Sequence, residues 1–540
     1  MNVPIRVSGA LSAVTLMAVS LCTAPPSATA ASSQPDLTRY YTQKIGWHPC
    51  GQDPDSEVRQ ESTHEQRASA AAQGSPHRRA QGPVAECGSV KVPYTYAKPS
   101  QGDMTLALMR YRARDQNSRL GSLLINFGGP GGSGLEGLAG SGPDGFGKAG
   151  TRYDLVSFDP RGVGASTPVR CGEADEVPKT VHGADSAPEN LSVLGKYLAE
   201  QKAALATCAK LSGPILPWVG TVNVARDLDV MRQALGDEKL NYLGISYGTK
   251  IGAVYAHQFP KKVGRMALDG VDEPAPNMKD TSLAQATGYQ KALEHSIEQC
   301  AQRGADCPLG TDPGRAMTGV VTGLNRLDEH PMKLPDGTEL TREGAQSDIM
   351  ALLRSRDEVD TLPAMLAVIS QGKAPGRETE VAEDIADEDE GAERNGTYDN
   401  SSEAFVAVNC ADTSGRYTEK EIDDAYPEFV KASPVFGGEF VTGMATCNGW
   451  PEAGDDTSHD VSAPGAATIV MTTALYDPAT PHPWLKQMAK AVGPAVTITD
   501  NGAGHGLYVA TKALCVRRHF DAFFLEGTLP KDGTVCDDKV

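Results

Sequence analysis

The stretch NYLGISYGTK, residues 241 to 250, decides the fold. A strand-like run from Leu240 to Gly244 stops at a serine set between two glycines, and the following TKIGAVYAHQF has the spacing of a helix. A serine at such a junction sits on a sharp, strained turn. Glycine on either side lets the strand and helix backbones approach closely enough for the hydroxyl to project above the sheet. A bare G-x-S-x-G arises often by chance, so the weight falls on the strand-turn-helix setting. Gly244 to Gly248 is the chain's single instance of the motif.

Outward from that turn, short apolar runs recur, each ended by Gly, Asp or Pro: MTLALMRYRA (104 to 113), SLLINF (122 to 127), YDLVSFD (153 to 159), LNYLGIS (240 to 246), VGRMALD (263 to 269), ATIVMTT (467 to 473) and AVTITD (495 to 500). Continuous rather than alternating apolar strands indicate a sheet buried on both faces, and helix-length segments between them indicate parallel order. The class is therefore α/β, with a mostly parallel sheet. TVNVARDLDVMRQALG (221 to 236) reads as a packing helix ending at Gly236. After VGRMALDG, helical segments replace strands for nearly two hundred residues, among them SLAQATGYQKALEHSIEQCAQ and SEAFVAVNCAD. A helical insertion between parallel strands is a cap over their carboxyl edge, where open α/β sheets bind ligands. The expected organisation is a leader at 1–30, a first core part at 31–274, a cap at 275–460 and a second core part at 461–540.

The 540 residues carry 50 Lys and Arg against 69 Asp and Glu, a formal charge of −19 that argues against nucleic acid or an anionic membrane as partner. The N-terminus has one basic residue, Arg6, then an apolar stretch through Leu21 and Ala28-Thr29-Ala30, the pattern of a secretion signal cleaved after residue 30. A lipid anchor on Cys22 is the competing reading, against which Leu21 is large for such a cleavage site. No later stretch approaches the length of a membrane span. Of eleven cysteines, ten remain after the leader, an even number that favours disulfides in an oxidising compartment over metal ligands. Neighbouring pairs suggest themselves: Cys50 with Cys87, Cys171 with Cys208, Cys300 with Cys307, Cys410 with Cys447 and Cys515 with Cys536. The polar stretch after Cys50 (52 to 82) has almost no large apolar residues to bury and reads as a surface loop or disordered insert, and the acidic, Gly-flanked one at 376 to 396 reads as a solvated mobile loop in preference to a calcium or partner site.

A serine hydroxyl needs a histidine base oriented by an acid, and after such an elbow the acid and then the histidine follow along the chain. Strand ATIVMTT leads to ALYDPATP and places Asp477 just past a strand end; AVTITD leads to NGAGHG and places His505 in a Gly-rich loop. Asp500 competes as acid but shares the strand that delivers the histidine, and His482 competes as base but stands between two prolines close behind the acid. Two oxyanion donors are also required. The backbone N–H of Tyr247, after the serine, is one. NFGGPGGSG (126 to 134) supplies the other at Gly129, with Gly128 the alternative; this loop lacks the endings of a phosphate loop or a dinucleotide fingerprint.

GGPGGSG (128 to 134), SFDPRGVGAS (157 to 166), GISYGT (244 to 249), YDPATP (476 to 481) and GAGHG (502 to 506), with CNGWP (447 to 451), together resemble the secreted tripeptidyl aminopeptidases of the α/β-hydrolase superfamily, from about residue 45 to the C-terminus. Prolyl iminopeptidases, more distant, carry histidine where this chain has Phe127. The resemblance implies an α/β-hydrolase fold and a serine exopeptidase releasing short peptides, tripeptides by this likeness, from free N-termini. It implies Ser246 as nucleophile, Asp477 as acid, His505 as base, and no metal or organic cofactor. A proline iminopeptidase or a carboxylic ester hydrolase would use the same three residues. A carboxylate in the cap is the natural anchor for a substrate ammonium, with Asp272, Glu273 and Asp412 near the expected mouth.

Overall fold

The computed structural model describes residues 35–51, 84–172, 194–273, 277–335, 337–373 and 399–538. The leader with Cys22, the polar stretch at 52–82 and the acidic one at 376–396 lie outside the described residues. Ten strands form one sheet: β1 (His48–Pro49), β2 (Ala85–Pro93), β3 (Asp103–Tyr111), β4 (Gly121–Asn126), β5 (Tyr153–Phe158), β6 (Leu240–Ile245), β7 (Val263–Asp269), β10 (Ile469–Tyr476), β11 (Ala495–Ala503) and β12 (Thr534–Cys536). A two-stranded ribbon, β8 (Met332–Lys333) and β9 (Glu339–Leu340), belongs to the insertion. The large sheet runs β1-β2-β3-β5-β4-β6-β7-β10-β11-β12. From β5 to β12 every pairing is parallel, whereas β1, β2 and β3 add antiparallel.

Every residue of β4 and β5 is buried, as helices on both sheet faces require. MTLALMRYRA departs from the expected pattern: as β3 it pairs antiparallel with β5, and its burial alternates over Met104 to Ala107 because it lies towards the sheet margin. The sequence reading passed over β1, β2 and β12. β2 contains Gly88, Lys91 and a terminal proline, which mask an antiparallel strand with partial burial, and β12 has only three residues. Helix Thr221–Leu235 ends as expected at Gly236, whose φ of 84° lets the chain turn off the helix.

The insertion folds into helices Met278–Gln302, Pro313–Glu329, Arg342–Arg354, Leu362–Gln371 and Glu419–Ala432 around their own apolar cluster, with Leu293, Val320, Ile349, Leu366 and Phe429 at its centre. Helix Ser401–Asp412, although inside the inserted sequence, buries Val406 and Val408 with the sheet-side core instead. Asn400 fastens its start to the core: Nδ2 donates to Gly162 O at 2.9 Å and Val169 O at 2.8 Å, and Oδ1 accepts from Gly164 N–H at 2.8 Å. Under that junction lies a fully buried ion pair. Arg161 donates to both oxygens of Asp227, at 2.7 and 2.5 Å, and its Nη1 satisfies the carbonyls of Tyr94 and Trp218.

Five disulfides join Cys50–Cys87, Cys171–Cys208, Cys300–Cys307, Cys410–Cys447 and Cys515–Cys536, the pairings expected from spacing. Among the described residues no helix is long and apolar enough to cross a membrane.

Candidate active site

Ser246 follows β6 with φ 58° and ψ −131°, a conformation that L-residues rarely adopt and that costs on the order of 1–3 kcal/mol. Its surroundings hold it there. The Ser246 N–H donates to Asp269 O at the end of β7 at 2.9 Å, and Thr249 donates to Ser246 O through both its amide (2.8 Å) and its hydroxyl (2.6 Å). The two flanking glycines have separate steric reasons. A Cβ on Gly244 would run into the carbonyl of Gly248, and one on Gly248 would stand 2.6 Å from Asn126 O of β4. The serine therefore heads helix Tyr247–Gln258, on a strand next to the one that delivers the glycine loop.

In that loop the Gly128 amide is already committed, donating to Asn126 Oδ1 at 3.0 Å. Gly128 is a glycine for closeness: a Cβ there would lie 2.7 Å from Ser246 Cβ. Gly129 lines the same cavity as Ser246 and Tyr247, and neither the Gly129 nor the Tyr247 amide has a hydrogen-bond partner among the described residues. Asp159, in the DPRG segment, braces the loop: its Oδ1 accepts from Ser133 Oγ (2.7 Å) and Leu135 N–H (3.2 Å), and its Oδ2 from Ala165 N–H (2.9 Å). Sequence reasoning gave Asp159 no role, although it stands inside one of the motifs that carried the resemblance.

Asp477 is buried just past β10. Its Oδ1 accepts the amides of Ala479 (3.0 Å) and Thr480 (2.9 Å), and Thr480 Oγ1 donates to Oδ2 at 3.0 Å. His505 Nδ1 lies 2.9 Å from Asp477 Oδ2 and 3.1 Å from Thr480 Oγ1. Burial acts to lower the His505 pKa, but the charge and hydrogen bond of Asp477 together outweigh it, so the imidazole is held above its ordinary value. The competing residues are elsewhere. Asp500 lies within β11 and faces Arg356 at 3.6 Å, while His482 contacts Thr499 Oγ1 through Nε2 at 2.9 Å. Thr480 and Asp269 were missed. Asp269 ends β7 in full burial; its Oδ2 accepts the Tyr508 N–H at 2.6 Å and its Oδ1 has no partner among the described residues. Burial pushes its pKa up to about 6, against the pull of the Tyr508 and Leu507 amides and of His505.

Ser246, His505, Thr480 and Gly129 meet in a cavity of about 540 Å³ that the insertion roofs with Tyr289, Arg354 and Phe440. Its charged wall holds Lys250, Asp272, Glu273 and Asp412. Asp412 is occupied, accepting the Thr221 N–H at 2.7 Å and facing Lys250 Nζ at 3.3 Å. Asp272 is anchored through its backbone, whose N–H donates to Thr249 Oγ1 at 2.8 Å, and its carboxylate makes no hydrogen bond or ion pair among the described residues. Burial raises the Asp272 pKa to about 6, with Lys250 and His505 pulling it back.

Two family models match the chain: the α/β hydrolase fold over residues 121–344 and TAP-like protein over residues 433–536. The chain is 32% identical to "Serine protease Hip1" of Mycobacterium tuberculosis over 461 residues, covering 83% of this chain and 87% of the relative. It is 31% identical over 464 residues to "Carboxylesterase B" of the same organism, covering 84% and 86%. To the "Tripeptidyl aminopeptidase" of Streptomyces lividans it is 28% identical over 462 residues, covering 84% and 83%. A solved serine hydrolase from Cycloclasticus zankles aligns over 81% of this chain and 98% of its own, at 13% identity and a TM-score of 0.34.

Proposed function

Since the chain belongs to the α/β-hydrolase family, in its TAP-like branch, we propose that it is an exported serine exopeptidase that releases short peptides, tripeptides in the first instance, from free N-termini. Ser246 attacks the scissile carbonyl, and His505 takes its proton and returns it to the leaving amine. Asp477 keeps the imidazole oriented, and the amides of Gly129 and Tyr247 receive the oxyanion. Water then hydrolyses the acyl-enzyme. The observation that carries this reading is His505, paired behind with the buried Asp477, opening into the same cavity as a serine on a strained elbow with two unspent amides beside it.

The cap, residues 275–460, roofs this site, and Asp272 is the carboxylate we assign to the substrate ammonium. Its side chain faces the cavity without a partner among the described residues, whereas Asp412 is already paired. A second reading, a carboxylic ester hydrolase, is favoured by the relative named carboxylesterase.

Hydrolysis of p-nitroanilides bearing one, two or three residues, with free or acetyl-blocked amines, beside a p-nitrophenyl ester, separates the readings. Release confined to free-amine tripeptides, lost by roughly 1,000-fold or more in Ser246→Ala, is the expected result. A rise in KM for those substrates alone in Asp272→Asn supports the ammonium assignment. Turnover of the ester alone would leave the serine chemistry and overturn the peptidase.

A further inference from the structure

A run of cap residues grips the loop that carries His505. The cap helix Arg342–Arg354 ends beside the sheet, and the carbonyl of its last residue, Arg354, accepts the His505 backbone N–H at 2.8 Å. Two residues on, the buried Arg356 lies flat against the same loop. A Cβ on Gly502 would collide with its guanidinium, and one on Gly504, whose φ is 107°, would stand 2.8 Å from Arg356 Cβ. Arg356 Nη2 faces Asp500 Oδ1 at 3.6 Å and donates to Asp538 O at 3.3 Å. Next, the Asp357 carboxylate accepts two consecutive amides beyond the histidine: Thr511 N–H on Oδ2 at 2.8 Å and Lys512 N–H on Oδ1 at 2.9 Å. Lys512 Nζ closes the clasp on Asp357 O (2.7 Å) and Asp360 Oδ2 (2.9 Å). Burial opposes ionisation of Asp357, but these two amides, with the Thr511 hydroxyl and the Lys512 charge, outweigh it and hold the carboxyl below its ordinary pKa.

We infer that residues 354–360 of the cap are a strut that sets the position of His505, with Arg356 and Asp357 as positioning residues for the base. The strut reaches the His505 loop on both sides of the imidazole, at Gly502 to His505 and at Thr511 to Lys512. The glycines at 502 and 504 make room for it, which accounts for the composition of NGAGHG better than turn geometry alone. Arg354, at the head of the strut, also lines the cavity and bonds Tyr289 Oη through Nη1 at 3.2 Å. One segment of the cap therefore touches both the space that a substrate would fill and the residue that would activate Ser246. This rests on His505 acting as base, as proposed above. The charged groups acting on His505 are Asp477, Asp269, Arg354 and Asp272, and none of them is altered by the test.

The test compares Asp357→Ala, Asp357→Glu and Arg356→Lys with Val320→Ala, a cavity in the cap's own apolar cluster. Two readouts are followed: the rate of Ser246 labelling by a fluorophosphonate across pH, and kcat and KM on the best substrate. Asp357→Ala should slow labelling and lower kcat by roughly 10- to 100-fold, leave KM within about 2-fold, and move the acid limb down towards the ordinary imidazole value. Asp357→Glu should recover part of the rate, and Arg356→Lys should behave like a milder Asp357→Ala. Val320→Ala should lower Tm and leave kcat and the limb in place. If Asp357→Ala and Arg356→Lys lower Tm like Val320→Ala with kcat and the limb unmoved, the strut is structural only and the inference is overturned. An unlabelled wild type would overturn the serine chemistry itself and this inference with it.

Discussion

Thr480 Oγ1 stands within hydrogen-bond reach of both Asp477 Oδ2 and His505 Nδ1. Thr480→Val keeps the shape and removes that link, so kcat should fall about 10-fold, on the order of 1.4 kcal/mol, with KM and Tm little changed; steady-state kinetics beside a thermal melt checks it. Asp269 tests burial. Its folded pKa is raised to about 6, so the native state favours the protonated form: full stability holds below the unfolded carboxylate value near 4 and is lost as pH rises through about 6. Asp269→Asn mimics the neutral form, and relative to wild type it should gain roughly 2–3 kcal/mol between pH 4 and pH 7.5, read by urea unfolding at the two pH values. A flat difference would place another group in control of that range. At this scale, the roles proposed for Ser246, Asp477 and His505 rest on a placement that the sequence shows, each a functional type just past a strand end in the order serine, acid, histidine. Asp269 and Asp357 were not legible, because the amides they accept lie on distant segments, for Asp357 more than 150 residues away, and Thr480 and Asp159, although next to residues of their own motifs, show their links to His505 and Ser133 only once the chain is folded.

Between β6 and its helix, the elbow works because three backbones meet at Gly244, Gly248 and Asn126. Gly248→Ala would push a methyl to within 2.6 Å of Asn126 O and 2.7 Å of its Oδ1. That side chain holds the Gly128 amide, so the variant should lose about 1–3 kcal/mol of stability and also lower kcat; denaturant unfolding together with fluorophosphonate labelling checks both. Loss of stability with full labelling would show that the glycine serves packing alone. Strands buried on both faces announce themselves as continuous apolar runs, which is why β4 to β7 and β10 were found with boundaries close to those observed, whereas β11, only partly buried, was found by its β-branched run AVTIT. The marginal β2 and β12 escaped because partial burial leaves no such run, and antiparallel pairing of β3 is a property of its neighbour rather than of its own residues.

Over the whole molecule, two apolar clusters on the sheet and a third in the cap surround a cavity at their junction. The cap's helices were legible from spacing, but the packing of Ser401–Asp412 with the sheet-side core was not, since amphipathicity names a buried face without naming what covers it. The bridges stabilise the two parts unequally. On chain-entropy grounds, Cys410–Cys447, with 37 residues of separation, contributes about 4 kcal/mol, and Cys300–Cys307, with 7, about 2 kcal/mol. Paired Cys→Ser variants compared by denaturant unfolding should rank in that order; equal losses would show that native contacts rather than loop length set the effect. The order of the bridges along the chain has a further meaning. The cysteines from Cys50 to Cys536 are joined as successive pairs, first to second, third to fourth and so on, so no loop encloses or crosses another. Ten cysteines can be paired in roughly 950 ways, yet a chain threaded N-terminus first into an oxidising space would find the native set simply by coupling each newly arrived thiol to the one waiting ahead of it, and a plain oxidase without a proofreading isomerase would suffice to finish it.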